Sequence, residues 1–431
     1  MSDIFQRNGA VLMQRWPHVM QRLLAEESLA LSVELLEGPS PTLSVGGIQL
    51  TSRHDRIKEA QQQAASLPPD SPQLHVYGTG LGDLQRVLLA STAADQVHVH
   101  ILNGALFMLV LQSLEQDDWL DDPRISLHYA ADHPEIRLPF FALPAELVLS
   151  DDANARIRDR LVSEVHVGFN NQPFDPRHPE NRRLLEQGMK LLESDPDVAG
   201  LFGTQTGRDA FVIATGPSLQ QHLPRLRALS QLPERPLLIC VDTALVPLRR
   251  QGILPDVVVS IDHNITSRHL PPDDSALMTL VYLPRIDAEL LAGWQGPRYV
   301  GYSSSPLYAE IRQQVPRAQL FVAGSVIHPA IDLAVKMGAA RITLFGADFA
   351  FPGNKTHTGW DDGDLGPQVG ISRHWVHDGR GEKVRTQLNF RSYLIELERY
   401  IVQHPEVRFF NTSRDGALIV GTEFDPDWTA P

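Results

Sequence analysis

The sequence predicts an α/β protein, and three observations predict it. From residue 210 onward, short apolar runs rich in β-branched residues alternate with amphipathic stretches. Several of those runs break off at Gly, Ser or Asp, and a shorter stretch near residues 73–102 carries the same pattern once. Apolar runs without polar alternation suit strands buried on both faces. The expected architecture is therefore a Rossmann-like, mainly parallel sheet in a second domain, preceded by a smaller α/β domain.

Up to about Ala60 the chain reads as helical, with one short extended piece over Leu43–Leu50, and residues 58–65 form a polar helix rich in Ala and Gln. Gln73–Tyr77 reads as a strand running into Gly78-Thr-Gly-Leu-Gly82, and Val97–Leu102 as a second strand. This strand–glycine turn–helix–strand unit is a weak dinucleotide signal. Where a ribose-binding acid is expected, the second strand ends in His100-Ile-Leu-Asn103. The first domain, residues 1–150, thus reads as a fold relic or a protein-interaction domain. A polar helical connector is expected over 151–205, interrupted at 171–181, with the second domain spanning 206–431.

In that domain strands are expected at Ala210–Ala214, Pro236–Val241, Val257–Ile261, Leu280–Leu283, Arg298–Val300, Leu320–Val322, Ile342–Phe345 and Val407–Asn411. Helices are expected at Leu219–Leu229 despite Pro224, from Asp242 to Gln251, at Pro329–Met337 and at Leu388–Val402. Phe351–Arg385 is too long and polar for a tight connector and reads as an active-site loop or lid.

Composition bounds the function. The 431 residues are 42% hydrophobic and 21% charged, with 38 basic against 52 acidic residues and a net charge of −14. No basic stripe is evident, which argues against duplex nucleic acid as a partner. The single cysteine, Cys240, lies in an apolar run and reads as core. It excludes an intrachain disulfide and a multi-cysteine metal site. Neither a secretion signal nor an apolar stretch of membrane-spanning length is present, so the expectation is a cytoplasmic protein without membrane contact.

Polar clusters gather at the carboxyl ends of the expected strands, where parallel sheets bind ligands. They are Thr215-Gly216-Pro217-Ser218, Asp242-Thr243, Asp262-His263-Asn264 and Gly346-Ala-Asp348, with Gly324-Ser325 opening the Pro329 helix. Gly216-Pro217 suits a tight turn into a helix whose free N–H groups would receive a phosphate. Ser325 either caps its helix or, through the Gly324 and Ser325 amides, holds phosphate oxygens. Five clusters on one rim point to a nucleotide or sugar-nucleotide site. Histidines follow at His357, His374 and His377. His374 and His377 could share a helical face, but without a spaced partner they make a weak metal signal. A loop imidazole is also a general base in reach of neutral pH. Gly-x-Ser-x-Gly and the Gly-x-x-x-x-Gly-Lys-Ser/Thr phosphate loop do not occur.

These segments resemble the motility accessory factor family, proposed flagellin glycosyltransferases. The most specific block runs from Gly324-Ser325-Val326 through Gly338 to Ile342-Thr-Leu-Phe-Gly-Ala-Asp348 and Lys355-Thr356-His357. Gly216-Pro-Ser-Leu219, Asp242-Thr-Ala-Leu245, Pro255-Asp256 with Ser260-Ile-Asp262, and Asn411-Thr-Ser413 with Gly421-Thr422 match as well. Leu50–Asp55 and Gly78–Gly82 look like the family's first domain, so the resemblance spans nearly the whole chain. The family is similar to bacterial sialyltransferases that share a Gly-Pro-Ser-Leu turn.

The resemblance implies transfer of a nonulosonic acid, pseudaminic or legionaminic in type, from its cytidine monophosphate (CMP) donor to Ser or Thr of flagellin. It places Gly216, Pro217, Ser218 and Ser325 at the donor phosphate, and Asp242 or Thr243, together with Asp348, along the nucleotide. Thr215, Asp262, Asn264, Gly324, Lys355 and Thr356 complete the candidate substrate-binding set. A monophosphate leaving group needs little metal assistance, so no cofactor or metal is expected beyond the CMP-sugar substrate. His357 is the first candidate base, with His374 and His377 as alternates. Ten residues follow Gly421 where larger members carry a helical region; acceptor recognition then falls to residues 1–200 or differs in kind. The oligomeric state is left open. Archaeal pterin diphosphokinases resemble the same second domain and supply the second reading, with Asp242, Asp262 and Asp348 as ligands for ATP-bound Mg²⁺. The third is a non-catalytic adaptor that binds flagellin or an export component.

Overall fold

The computed structural model describes residues 2–133, 135–170, 175–372 and 374–429. The chain forms two compact units, Met1–Val165 and His166–Pro431. The first half of the expected 171–181 interruption, residues 171–174, lies outside the described residues.

In the first unit, α1 (Asp3–Arg15) and α2 (Pro17–Leu23) are separated at Trp16 because Pro17 opens the second helix and cannot continue the first. Next come β1 (Val33–Leu36), β2 (Thr42–Val45) and β3 (Ile48–Gln49), an antiparallel sheet of three strands. The sequence reading expected a single extended piece here. Instead the chain turns at Gly46-Gly47, and Val33 and Leu35 of β1 are exposed, which erased the burial alternation that marks a strand.

Helix α3 (Arg56–Ala64) leads to β4 (Gln73–Tyr77), α4 (Asp83–Ser91), β5 (Gln96–Ile101), α5 (Gly104–Ser113) and α6 (Asp117–Leu120). Then follow β6 (Ile125–Tyr129), β7 (Phe140–Ala142), α7 (Pro144–Leu149) and α8 (Ala155–Asn170). Strands β6-β5-β4-β7 pair in that order, all parallel. Strict alternation sends Leu74, Val76, Val97, Val99, Ile125 and Leu127 into one core. It sends His75, His98, His100 and His128 to the opposite face.

The second unit continues through α9 (Pro179–Ser194), β8 (Asp209–Ile213), α10 (Leu219–Ser230), β9 (Leu237–Val241), α11 (Asp242–Arg250) and β10 (Val257–Ser260). After these come β11 (Thr279–Tyr282), α12 (Ala288–Gly293), β12 (Arg298–Val300), α13 (Ala309–Gln314), α14 (Ile327–Lys336) and β13 (Arg341–Phe345). The chain ends with β14 (His374–His377), β15 (Lys383–Thr386), α15 (Leu388–Gln403), β16 (Arg408–Asn411) and β17 (Glu423–Phe424). Eight strands form one parallel sheet in the order β12-β11-β10-β9-β8-β13-β16-β17. Strands β9 and β10 are buried along their whole length, and β13 along all but its first residue, Arg341, as their apolar runs require. Cys240 is one of these core residues. The expected Rossmann-like α/β fold is observed.

Three expectations differ. Leu320–Val322 is not a strand: Gln319 makes one isolated bridge to Tyr302, and the Phe321 N–H turns away to donate to Asp332 Oδ2 at 2.8 Å. Within Phe351–Arg385, β14 and β15 pair as an antiparallel hairpin. The short edge strand β17 was not expected. Among the described residues no helix is long and apolar enough to cross a membrane.

Candidate functional site

Strand order decides where a ligand can enter. From β8 the sheet grows toward β12 on one side and restarts with β13 on the other, so the order reverses between β8 and β13. A crevice opens outside the carboxyl ends of parallel strands at such a point. In this crevice the turn after β8 supplies Thr215 and Gly216, β9 leads to Asp242 and Thr243, and Asp262 follows β10. Ser325 comes from the turn before α14, Asp348 from the loop after β13, and Thr356 and His357 from the segment beyond. Ile265, Val326, Ile327, Phe349, Phe390 and Tyr393 make the apolar part of the wall. The cleft encloses about 160 Å³, below the roughly 300–1,000 Å³ of drug-sized ligand pockets, so a nucleotide must extend past its rim.

The Gly216-Pro217-Ser218 turn departs from expectation. Its amides are not free: Gly216 N–H donates to the Gly346 carbonyl at 2.8 Å, and Ser218 N–H donates to Asp348 Oδ2 at 2.8 Å. A carboxylate of the chain itself stands at the start of α10, where an incoming phosphate was expected. A Cβ on Gly216 would lie 2.4 Å from both Asp348 Oδ2 and the Gly346 oxygen, so the close approach that demands glycine here is internal. Pro217 and Ser218 support the wall without being part of it.

Two wall carboxyls are held away from the usual carboxylate range. Burial pushes Asp242 up to about 7, although its Oδ1 accepts from Thr243 N–H and its Oδ2 from the Ser260 hydroxyl, each at 2.7 Å. Burial likewise pushes Asp348 up to about 6, against the opposing hydrogen bonds from Ser218. Asp262 is half exposed, and Asn264 folds back on it through its backbone and side-chain N–H groups at 3.0 and 3.1 Å. Asn264 therefore props Asp262 rather than facing the cleft.

Segment 356–360 is tied across the strand ends. Thr358 N–H donates to the Thr215 carbonyl at 2.7 Å, its hydroxyl donates to the Gly216 carbonyl at 3.0 Å, and the Trp360 indole donates to the Thr243 carbonyl at 2.9 Å. This brings His357 into the wall. Its Nδ1 is buried with no hydrogen-bond partner among the described residues, and burial pushes the imidazole down to about 4. Lys355 is exposed and stands outside the cleft.

At α14 the cap position is held by Val326 and no side chain caps the helix. Ser325 does not cap it, contrary to one of the two readings; its N–H instead donates to His328 Nδ1 at 3.3 Å. Gly324 is exposed, with φ +92°, and a Cβ there would strike the Tyr393 ring at 2.3 Å. It shapes the turn without lining the cleft. The start of α14 thus offers Ser325, Val326 and Ile327 to the cleft at the positive end of a ten-residue helix.

His374 and His377 do not join this site. They lie on β14, three residues apart, and strand geometry points such residues to opposite faces; the shared helical face does not exist. The His377 ring packs against Trp375 at 5.1 Å. Sequence reasoning missed Phe390 and Tyr393, whose helical spacing looked like core, and Thr358, which carries no motif.

The first unit has an equivalent turn at its own reversal point, between β4 and β7. Gly78, Gly80 and Gly82 all adopt positive φ, which explains the glycine spacing. Glu146 of α7 fills the turn: Thr79 N–H donates to its Oε1 at 2.7 Å and Gly80 N–H to the same oxygen. Asn103, at the position expected for a ribose-binding acid, caps α5 by accepting from Leu106 N–H at 2.9 Å.

A family model described as 6-hydroxymethylpterin diphosphokinase MptE-like matches residues 182–354. Over 170 residues the chain is 28% identical to a 6-hydroxymethyl-7,8-dihydropterin pyrophosphokinase of Methanothermobacter thermautotrophicus, spanning 38% of this chain and 68% of that protein. Among solved structures it is similar to a MAf glycosyltransferase from Magnetospirillum magneticum AMB-1, at a TM-score of 0.47 and 16% identity, over 100% of this chain and 75% of that one. The family match contains Gly216, Asp242, Asp262, Ser325 and Asp348 and stops short of Thr356 and His357.

Proposed function

We propose that the second unit is a cytoplasmic glycosyltransferase that moves a nonulosonic acid, pseudaminic or legionaminic in type, from its CMP donor to a Ser or Thr hydroxyl of flagellin. The observation that carries this reading is one cleft that joins the uncapped start of α14 to a neutral imidazole with an unpartnered nitrogen. In the proposed step the bond between the anomeric carbon and the donor phosphate oxygen breaks, and CMP leaves with the electron pair. The acceptor oxygen bonds to that carbon, and its proton passes to His357 Nδ1. Amides at the start of α14 would receive the charge that builds on the phosphate. The donor's phosphodiester monoanion, and the further charge that builds on it as CMP leaves, would also raise the His357 imidazole from about 4 toward a better base. Thr215, Thr243 and Thr356 line the path of the nucleotide, and Phe390 and Tyr393 offer apolar faces to its base or sugar.

A second reading, a pterin diphosphokinase, is favoured by the family match over 182–354 and by the archaeal relative. That chemistry calls for Mg²⁺ held by ionised carboxylates. The donor set here suits it poorly: both Asp242 oxygens already accept hydrogen bonds, Asp348 gives Oδ2 to Ser218 and keeps only the buried Oδ1 without a partner among the described residues, and burial favours the neutral form of each. Asp262 is the one of the three that stands half exposed.

Isothermal calorimetry separates the readings. Micromolar binding of CMP without added metal is the expected result, followed by sugar transfer to flagellin detected by mass spectrometry. Binding of ATP with Mg²⁺ and not of CMP would establish the diphosphokinase reading instead. Binding of neither, with flagellin retained, would leave an adaptor.

A further inference from the structure

We propose that His328 is a positioning residue that holds the start of α14 in the shape that receives the donor phosphate. This rests on the reading of that helix start as the anion-binding wall of the cleft. His328 lies in the first turn of α14, is fully buried and does not line the cleft. Its ring bridges two elements. Nε2 lies 2.9 Å from the Tyr393 carbonyl on α15, and Nδ1 lies 3.3 Å from the Ser325 backbone nitrogen.

The partners assign the tautomer. A carbonyl only accepts, so Nε2 carries the proton; Nδ1 is then bare and accepts the Ser325 N–H. This commits the Ser325 amide and leaves those of Val326 and Ile327 as the next donors at the head of the helix, both from residues of the cleft wall. The same two elements meet a second time where the Tyr393 ring packs against Gly324. One steric contact and one imidazole bridge therefore register the phosphate wall of the cleft against its aromatic wall, Phe390 and Tyr393.

The surroundings suit a bridge that stays neutral. The rings of Phe321 and Tyr393 stand edge-on to His328, and burial pushes the imidazole down to about 4. Protonation would set a second N–H against that of Ser325 and break the bridge. Across the neutral range the bridge is therefore constant, which a positioning group requires and a proton-transfer group does not.

Two substitutions in the full chain separate the nitrogens. His328→Asn places a carboxamide oxygen near the Nδ1 position and keeps the Ser325 acceptor. His328→Gln reaches toward the Nε2 position and keeps the Tyr393 contact but loses that acceptor. The expected result is CMP affinity within about threefold of the parent for H328N and weaker by about tenfold or more for H328Q, at similar melting temperatures. A merely structural histidine would move the two alike. Long-range ¹H–¹⁵N spectra of the unsubstituted protein give a test that needs no variant: the His328 ring should show a protonated Nε2, unchanged between pH 5.5 and 8. Equal CMP affinity of H328Q and parent, a proton on Nδ1, or titration near pH 6.5 would each overturn the role. Should the parent bind no CMP while the tautomer is as stated, the anion-binding reading falls and takes the functional role with it, leaving a structural bridge.

Discussion

At the scale of single residues, burial decides which groups can do chemistry. His357 is neutral because desolvation opposes its charge, so it is ready to accept a proton but is a weak base until an anion binds beside it. His357→Ala should leave CMP affinity within about threefold and lower kcat of sugar transfer by roughly 10²–10⁴, measured in single-turnover assays. Undiminished kcat would remove the imidazole from the reaction. Glu146 shows the cost of the same desolvation. Burial raises it from an ordinary 4.5 to about 7 even though it accepts from two backbone amides. Between those two values the folded chain holds a proton that the unfolded chain has lost, so this group lowers stability as pH rises through the window. Glu146→Gln should therefore melt higher than the parent at pH 8, by an amount worth about 1–3 kcal/mol, with the gain fading by pH 5. Scanning calorimetry at both pH values checks the sign; a gain that grows toward pH 5 would refute it.

At the scale of elements, the sheet of the first unit carries an acid-sensitive face. His75, His98, His100 and His128 occupy alternate positions on β4, β5 and β6 and stack, with His75–His98 at 4.6 Å and His100–His128 at 5.6 Å. Tyr77 stacks on His100 at 4.3 Å, and His133 stands edge-on to His128 at 5.4 Å. Their nitrogens are taken up within the face: His75 Nδ1 lies 3.0 Å from His100 Nε2, and the Ser126 hydroxyl lies 2.6 Å from His98 Nδ1 and 3.0 Å from His128 Nε2. Burial lowers all four imidazoles, His75 to about 4 and His100 to about 2; neighbouring histidines add to the effect, as does Arg137 at His75 and His98, and Asp132 opposes it at His128. The unfolded chain gains protons first as pH falls below about 6.5, so stability that is complete above that pH is lost on the way to the folded values. Circular dichroism and histidine NMR should show the first unit opening cooperatively between about pH 6 and 4. Imidazoles titrating independently near 6.5 in a folded protein would contradict this.

At the scale of the whole molecule, two units place a glycine turn at a sheet reversal and fill it with a carboxylate from the neighbouring strand's connection: Glu146 in the first, Asp348 in the second. They differ in what surrounds the turn. In the second unit the turn is one wall of a cleft that also contains the start of α14 and His357. Hydrogen exchange with saturating CMP should therefore slow residues 324–330 and 355–360 and leave 78–82 unchanged. Slowing at 78–82 would show that Glu146 yields to a ligand and that the first unit binds nucleotide as well.

How much of this was legible can be read from particular residues. The alternation of apolar runs and amphipathic helices set the α/β class and the parallel sheet, because strands buried on both faces tolerate little else. Polar residues at strand ends marked the rim, since a parallel sheet delivers every strand end to one side; Thr215, Asp242, Asp262 and Asp348 do meet there. Local sequence could not say which amides stay free. Gly216 and Ser218 lost theirs to partners 130 residues away in the chain, Gly346 and Asp348, whereas the start of α14 carries no side-chain cap. Nor could it separate His357 from His374 and His377, because loop and strand give a histidine the same letter and only packing across the sheet ends buries one of them in the cleft. Backbone preference is written within a few residues; hydrogen-bond partners and burial, and with them charge, are settled between segments that only the folded chain brings together.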